Sequence, residues 1–337
     1  MFGWLCLFLN KTNKGAALPP RPKRRGFRAV IAMNKAIAII LFGFFCQFQV
    51  SAYELVMAAM FKDEAPYLKE WILYHQMVGV EHFWLYNNDS TDNWEEVLTP
   101  FVDQGLVDVI PWNSTAFASQ KPQAFPFDLQ LYMMQDALKK AKEETKWIAI
   151  LDIDEFLMPR KEATVIDCLN NHFSEASAVF VNWLNFGTGN VHIPSGDPIL
   201  CDLTRSSMRS YQKNGNGKSI WRAQEVLEHQ ARWIHWAPLR PGSTYVNGDA
   251  NPIILEGEGA NWDWQMHDKH IRIHHYFLRD ENFFINRRLK LAQNGQGAYS
   301  EETLWEFHEL LSRRKDVSMI EFIKNYHPDE YERIWKH

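Results

Sequence analysis

The chain has 337 residues, 46% of them hydrophobic and 23% charged, which allows one large or two small domains with a sizeable core. Its formal net charge of −5 leaves no basic surface excess, so nucleic acid is not expected as a partner. Aromatic residues reach 14%, with 14 Trp; packing explains most of that usage, and the flat faces lean weakly towards carbohydrate.

Residues 1–52 read separately from the rest. Residues 1–9 are apolar and 11–28 basic and proline-bearing, an N-terminal extension over 1–32 if translation starts at Met33. From there Lys35, an apolar run over 36–48 and Val50-Ser51-Ala52 follow the order of a secretory signal peptide. The run falls short of the roughly 20 apolar residues of a comfortable membrane span, and an uncleaved anchor over 33–52, with membrane association through it, is the competing expectation. Either way the body, 53–337, is expected outside the producer's cytoplasm. Cys6 and Cys46 belong to the leader. Cys168 and Cys201 remain for the body, where an exported protein could join them in a disulfide. No C-x-x-C spacing asks for structural zinc.

In the body, strand and helix patterns alternate. Residues 53–60 read as a strand, and 64–78 as a helix with Pro66 in its first turn and Gly79 as its stop. Leu68, Trp71, Ile72 and His75 share one face at helical spacing, so His75 is expected to be a core histidine rather than a ligand. Residues 82–86 form the next strand, which runs into the turn-forming 87–92. Asp89 there suits a contact to uracil or ribose hydroxyls as well as it suits an Asx-turn or helix cap. Helix, strand and helix follow at 94–104, 106–111 and 128–144. Such alternation implies a mostly parallel sheet with helices on both faces.

Residues 146–159, KWIAILDIDEFLMP, carry the chemistry. Residues 147–151 read as a buried parallel strand, Asp152 and Asp154 arrive as that run ends, and Pro159 closes the segment. Strand alternation would send Asp152 and Asp154 to one side and Ile153 to the other. Ligands of open α/β sheets bind beyond the carboxyl ends of the strands, and a hard divalent cation takes carboxylates together with diphosphate oxygens. The pair therefore reads as a metal–diphosphate site, against helix capping or plain solvation. G-x-G-x-x-G, a P-loop and G-x-S-x-G are all missing, which disfavours dinucleotide oxidoreductases, P-loop ATPases and α/β-hydrolases.

Several blocks resemble the family-92 glycosyltransferases. They are Lys62-Asp63-Glu64 with residues 67–75 and Gly79-Val80; residues 86–92; and residues 151–156. Looser matches follow at Trp183 with Phe186-Gly187-Thr188-Gly189, at Lys218, at His235 and at His275-Tyr276. The resemblance runs from about Tyr53 to about Gly297. It departs from the family at Asp63, where Asn is usual, and at Arg287 and Arg288, near a common Lys.

The resemblance implies a GT-A-like α/β fold with C-terminal helices and a glycan acceptor. It also implies a nucleotide-sugar donor, often UDP-galactose, and inversion at the anomeric carbon. Mn²⁺ or Mg²⁺ would be held by Asp152 and Asp154, with donor contacts from Asp89, Asp152, Lys218 and Glu64. His275, on strand-like 271–278, is the natural third ligand to metal or diphosphate; His274 faces the other way, and a paired surface strand is the alternative for both. Lys218 reaches the diphosphate or is a solvated turn lysine. Trp183 and the Phe186-Gly187 turn shape the acceptor side, with a core tryptophan as the alternative. An inverting transfer needs a base, with Asp202, Asp263 and Glu258 as candidates and Asp202 slightly favoured. Helical patterns at 281–292, 301–313 and 319–326 show no chemistry of their own. A metal-dependent hydrolase or phosphotransferase and a secreted carbohydrate-binding protein on the same fold are the other function classes.

Overall fold

Four parallel strands carry the first half of the body: β1 (Tyr53–Phe61), β2 (His82–Asn87), β3 (Val107–Pro111) and β4 (Thr145–Ile150), side by side in the order β3-β2-β1-β4. The computed structural model describes residues 52–113, 126–255 and 265–336. The leader reading over 1–51, Glu258 and Asp263 lie outside the described residues. Helices α1 (Ala65–Met77), α2 (Trp94–Asp103) and α3 (Pro126–Glu144) make the crossovers.

Strand alternation sorts β1 between two cores. Leu55, Met57, Ala59 and Phe61 pack on one face with Leu68, Trp71 and Ile72 of α1. Val56 and Ala58 pack on the other with Met133, Met134, Ala137 and Leu138 of α3. Pro66 opens α1 as expected, and the Asp92 carboxylate accepts the Ala65 N–H at 2.8 Å. Asp92 thus caps the helix before its own. Gly79, at φ +98, ends α1 in a conformation that costs other residues strain.

The second half is mixed. After β5 (Glu155–Pro159) and α4 (Val165–His172) come β6 (Ala178–Asn185), β7 (Arg205–Ser206), β8 (Gly217–Arg222), β9 (Tyr245–Asn247), β10 (Pro252–Ile253), β11 (Ile271–His275) and the short β12 (Arg314–Lys315). Strand β8 runs antiparallel between β4 and β6, and β11 lies parallel to β6 and antiparallel to β5. Beyond β4 the sheet is mixed: β6 is parallel to β9 and β11, while β8 runs antiparallel to its neighbours. The layout is α/β, and the helical segments Glu281–Phe283, Phe284–Leu289, Lys290–Gln293, α5 (Glu301–Leu310) and α6 (Ser318–Tyr326) follow it. Among the described residues no helix is long and apolar enough to cross a membrane.

Two local expectations change. The strand expected over 147–151 is β4, but Asp152 and Asp154 lie in a turn rather than on its extension, because the chain turns between β4 and β5 and the Glu155 N–H bonds back to the Asp152 carbonyl at 3.0 Å. Cys168 and Cys201 are both free thiols; Cys168 is buried, with its Sγ 3.4 Å from the His270 carbonyl.

His75 is the core histidine its spacing predicts. Its Nδ1 donates to the Trp71 carbonyl at 2.9 Å, and its Nε2 accepts the Leu157 N–H at 3.2 Å. Burial drives its pKa down from 6.5 to about 3. The unfolded chain therefore holds more protons between those values, and stability falls as pH drops through that window. Above about 6.5 the contribution is fully present. Each pH unit inside the window costs about 1.4 kcal/mol. Denaturant titrations are expected to show a lower unfolding free energy at pH 5 than at pH 7, with a shallower slope in His75→Asn. An unchanged slope in that variant would remove His75 as the cause.

Candidate active site

A cleft of about 510 Å³ opens where β1, β4, β6 and β11 end, within the range of small-molecule sites. Met60, Phe61, Lys62 and Glu64 line it from β1, Asp152 to Asp154 from β4, Asn185 from β6 and His275 from β11. All four strands reach it by their carboxyl ends.

The two aspartates sit in the turn after β4, so turn geometry rather than strand alternation brings them to the cleft. Asp152 is partly exposed and has both oxygens engaged: Gln130 Nε2 donates to Oδ1 at 2.8 Å, and Lys218 Nζ lies 2.9 Å from Oδ2. Lys218 is buried in β8, not solvated in a turn. Burial alone would favour its neutral form, but Asp152, Glu155 and Asp154 hold its pKa above the ordinary value. Gly217 places it: a side chain there would meet the Val181 carbonyl at 1.9 Å, so only glycine lets β8 come this close to β6.

Asp154 is buried, with His275 Nε2 at 3.7 Å from Oδ1 and Arg288 Nη2 at 3.5 Å from Oδ2. Burial pushes its pKa up, and His275, Arg279 and Arg288 more than reverse that. Glu155 next to it is fully buried, and desolvation raises its pKa well above the usual carboxylate range. It accepts the Asp152 N–H at 2.9 Å, which steadies the turn.

A chain of amides sets the His275 tautomer. Asn214 Nδ2 donates to the Met208 carbonyl, which leaves Asn214 Oδ1 to accept from Asn185 Nδ2 at 2.9 Å. Asn185 Oδ1 then faces His275 Nδ1 at 2.9 Å, so Nδ1 carries the proton. Burial lowers the pKa of the ring, and in this tautomer the Nε2 lone pair points towards Asp154. A neutral imidazole nitrogen and a carboxylate oxygen side by side fit a divalent cation. Asp152 would join them only by letting go of Lys218 or Gln130. Among the described residues no three acid, His or Cys groups converge on one point, so any further ligands would come from the substrate or water.

At the β1 end, Glu64 Oε2 pairs with Arg279 at 2.7 Å. Burial raises the Glu64 pKa despite that partner. Arg279 is buried, lies 3.7 Å over the Tyr67 ring and has φ +54, a backbone cost that neighbouring structure must sustain. Arg287 donates to the carbonyls of Asp63 and Lys62, and Asp63 Oδ1 accepts the Thr91 N–H at 2.7 Å. The loops after β1 and β2 are thereby tied together. Asp89, at φ +53, stands in the second of these loops rather than among the residues lining the cleft.

Trp183 lines the cleft, its ring centroid 4.5 Å from that of His275. Phe186 does not: it is buried against His274 and Tyr276, which corrects its expected place on the acceptor side. His274 is fully buried, accepting from Arg272 Nε at 2.9 Å; β11 is an interior strand, not a surface one. Asp202 is exposed, in a turn outside the cleft. His235 bonds the Gly217 carbonyl, and burial lowers its pKa to about 4. Sequence reasoning missed Gln130, Asn185 and Arg279 as site residues, together with the wall of Tyr211, Phe277, Tyr299 and Phe307. The signal within reach was the run of Arg279, Arg287 and Arg288 just after His275-Tyr276.

A family model for glycosyltransferase family 92 matches residues 53–254. A family 92 protein of Oryza sativa subsp. japonica is 30% identical over 220 residues, 63% of this chain and 34% of its own length. One of Ricinus communis is 23% identical over 210 residues, 60% of this chain and 35% of its own. The chain spans about a third of the length of these relatives. The crystal structure of S. aureus TarS 1–349 aligns at a TM-score of 0.36 with 9% identity, over 84% of this chain and 75% of that one. The matched stretch takes in β1 to β10 and both aspartates, more than half of the sequence, and the chain belongs to glycosyltransferase family 92.

Proposed function

We propose that the protein transfers a hexose, galactose in the first instance, from a UDP-sugar to a glycan hydroxyl with inversion and with the help of a divalent cation. The observation that carries this reading is the convergence of Asp154, His275, Lys218 and Arg288 where four strands end. Departure of a nucleoside diphosphate concentrates negative charge on its oxygens, and a bound cation would neutralise that charge. Asp154 and His275 would hold it. Mg²⁺ prefers all-oxygen sites, so the imidazole favours Mn²⁺. Arg288 and Lys218 add fixed positive charge beside the same carboxylates, in a site already arranged before reaction.

Trp183 would border the acceptor, and Glu64 and Asp89 the nucleotide. Removal of the acceptor proton needs a base in reach of the hydroxyl. Asp202 stands outside the cleft, so the role passes to Asp263 or Glu258. Action outside the producer's cytoplasm, through a signal peptide or anchor over 33–52, belongs to the same proposal and is supported by the pattern of the leader.

Calorimetry of the full chain with UDP and UDP-galactose, with and without Mn²⁺, tests the reading. Binding is expected to tighten at least tenfold with Mn²⁺, which is about 1.4 kcal/mol, and less with Mg²⁺. The reading is lost if neither ligand binds under any metal condition. Phosphate release without sugar transfer would shift it to a hydrolase.

A further inference from the structure

The cleft has a second pole that the donor reading does not use. Phe277, Tyr299 and Phe307 pack edge to face, with centroids 5.2 to 6.0 Å apart, and all three line the cleft. One end of this cluster adjoins the reacting centre, because the Arg288 guanidinium that meets Asp154 also lies 4.2 Å over Phe277. At the other end the Lys213 ammonium stands 4.0 Å from the Phe307 centroid and 5.4 Å from that of Tyr299.

Lys213 differs from the cleft arginines. Arg279 is paired with Glu64, Arg288 with Asp154, and Arg287 with two backbone carbonyls. Among the described residues no carboxylate lies within ion-pair distance of the Lys213 ammonium, and Glu306 acts on it only from further away. Lys213 is solvent-exposed, so its ammonium stays open to an incoming anion, and the ring faces beside it add only about 0.5–1 kcal/mol at such a site. The position is also a rigid one: Lys213 belongs to the short turn Gln212–Gly215, held by the buried Asn214 through Met208 and Asn185. The chain as a whole is acidic, at −5, so a cation set here is not a by-product of a basic surface.

We infer that this pole is an acceptor subsite for an anionic sugar, whose apolar ring face lies on the exposed Tyr299 while its carboxylate or phosphate pairs with Lys213. The inference rests on the transferase reading and adds a substrate class to it. A charge-assisted hydrogen bond gives the acid an advantage over a neutral sugar, and the aromatic faces supply contact common to both.

The test uses the full chain saturated with UDP and Mn²⁺, and measures binding of methyl galactoside, methyl galacturonoside and galactose 6-phosphate by ligand-observed NMR. At least one anionic probe is expected to bind about tenfold more tightly than the neutral glycoside; which one it is separates a uronate from a sugar phosphate. Lys213→Met should erase that preference without weakening the neutral probe or UDP, and Lys213→Arg should keep it. Equal binding of all three probes to the unaltered chain overturns the inference. So does a Lys213→Met variant that loses UDP together with the acid, since the lysine then serves the donor. Failure of UDP to bind the unaltered chain removes the transferase reading and the acceptor role with it, whereas UDP binding without acid preference removes the acceptor class alone.

Discussion

Asp154→Asn is expected to lower hexosyl transfer about a thousandfold, equivalent to about 4 kcal/mol of transition-state stabilisation, and to leave the protein folded. Asparagine keeps the shape of the side chain and removes its charge. The partners left behind tolerate that: the Arg288 side chain is 30% exposed and so can be hydrated, and burial lowers the His275 pKa, which disfavours its charged form. What goes is the anionic half of the oxygen–nitrogen pair that would hold a cation. UDP affinity in the variant should therefore stop responding to Mn²⁺, while weak metal-independent binding persists. His275→Ala should act in the same direction with a smaller loss, because Asp154 keeps its charge. Asp202→Asn, exposed and outside the cleft, should change neither rate nor affinity. Initial rates with UDP-galactose and calorimetric titrations with and without Mn²⁺ read these effects, with melting curves to verify folding. Retention of transfer within tenfold in Asp154→Asn would falsify the central role given to this carboxylate.

The sequence disclosed the strands and helices of the first half almost to the residue, because there each strand is followed by an amphipathic crossover helix and the two periods are easy to separate. It also pointed to Asp152, Asp154 and His275, which the structure brings to the cleft, since polar residues that follow apolar strands must meet either solvent or a cleft. What it hid depends on pairing between distant segments. Nothing in Trp183-Leu184-Asn185 announces that Asn185 will set the tautomer of His275, or that Asn214, in a turn that reads as solvated, will orient Asn185 in its place. Phe186 and Trp183 looked alike as acceptor candidates, yet the pleat separates them, one towards His274 and the core and the other towards His275 and the cleft. The aspartate turn was misread as strand because Ile153 and Phe156 continue the apolar run across it. Arg279, Phe277, Tyr299 and Phe307 lie beyond the stretch matched by the family model, and neither motif nor strand pattern marked them.

Lys218→Met should be the most informative single change in the body, because it separates charge from shape. Methionine has nearly the volume of the lysine stem and can fill the same path between β4 and β6, so a packing defect is not the expected source of any loss. The variant leaves Asp152, Asp154 and Glu155 without their shared ammonium. Removing one member of a fully buried ion pair costs about 3–5 kcal/mol; Asp152, with its side chain 37% exposed, recovers part of that through water, so a loss of about 1–3 kcal/mol is expected. Adding Asp152→Asn should return much of the stability, because the stranded carboxylate is then gone. The two changes should be clearly non-additive in a denaturation cycle. Activity should not return with it. If Lys218 also supplies positive charge to the departing diphosphate, the stable double variant remains slow and binds UDP more weakly than the unaltered chain. A double variant that regains both stability and transfer would make Lys218 a counter-ion for Asp152 and nothing more, and the charge for the diphosphate would then have to come from Arg288 and the metal.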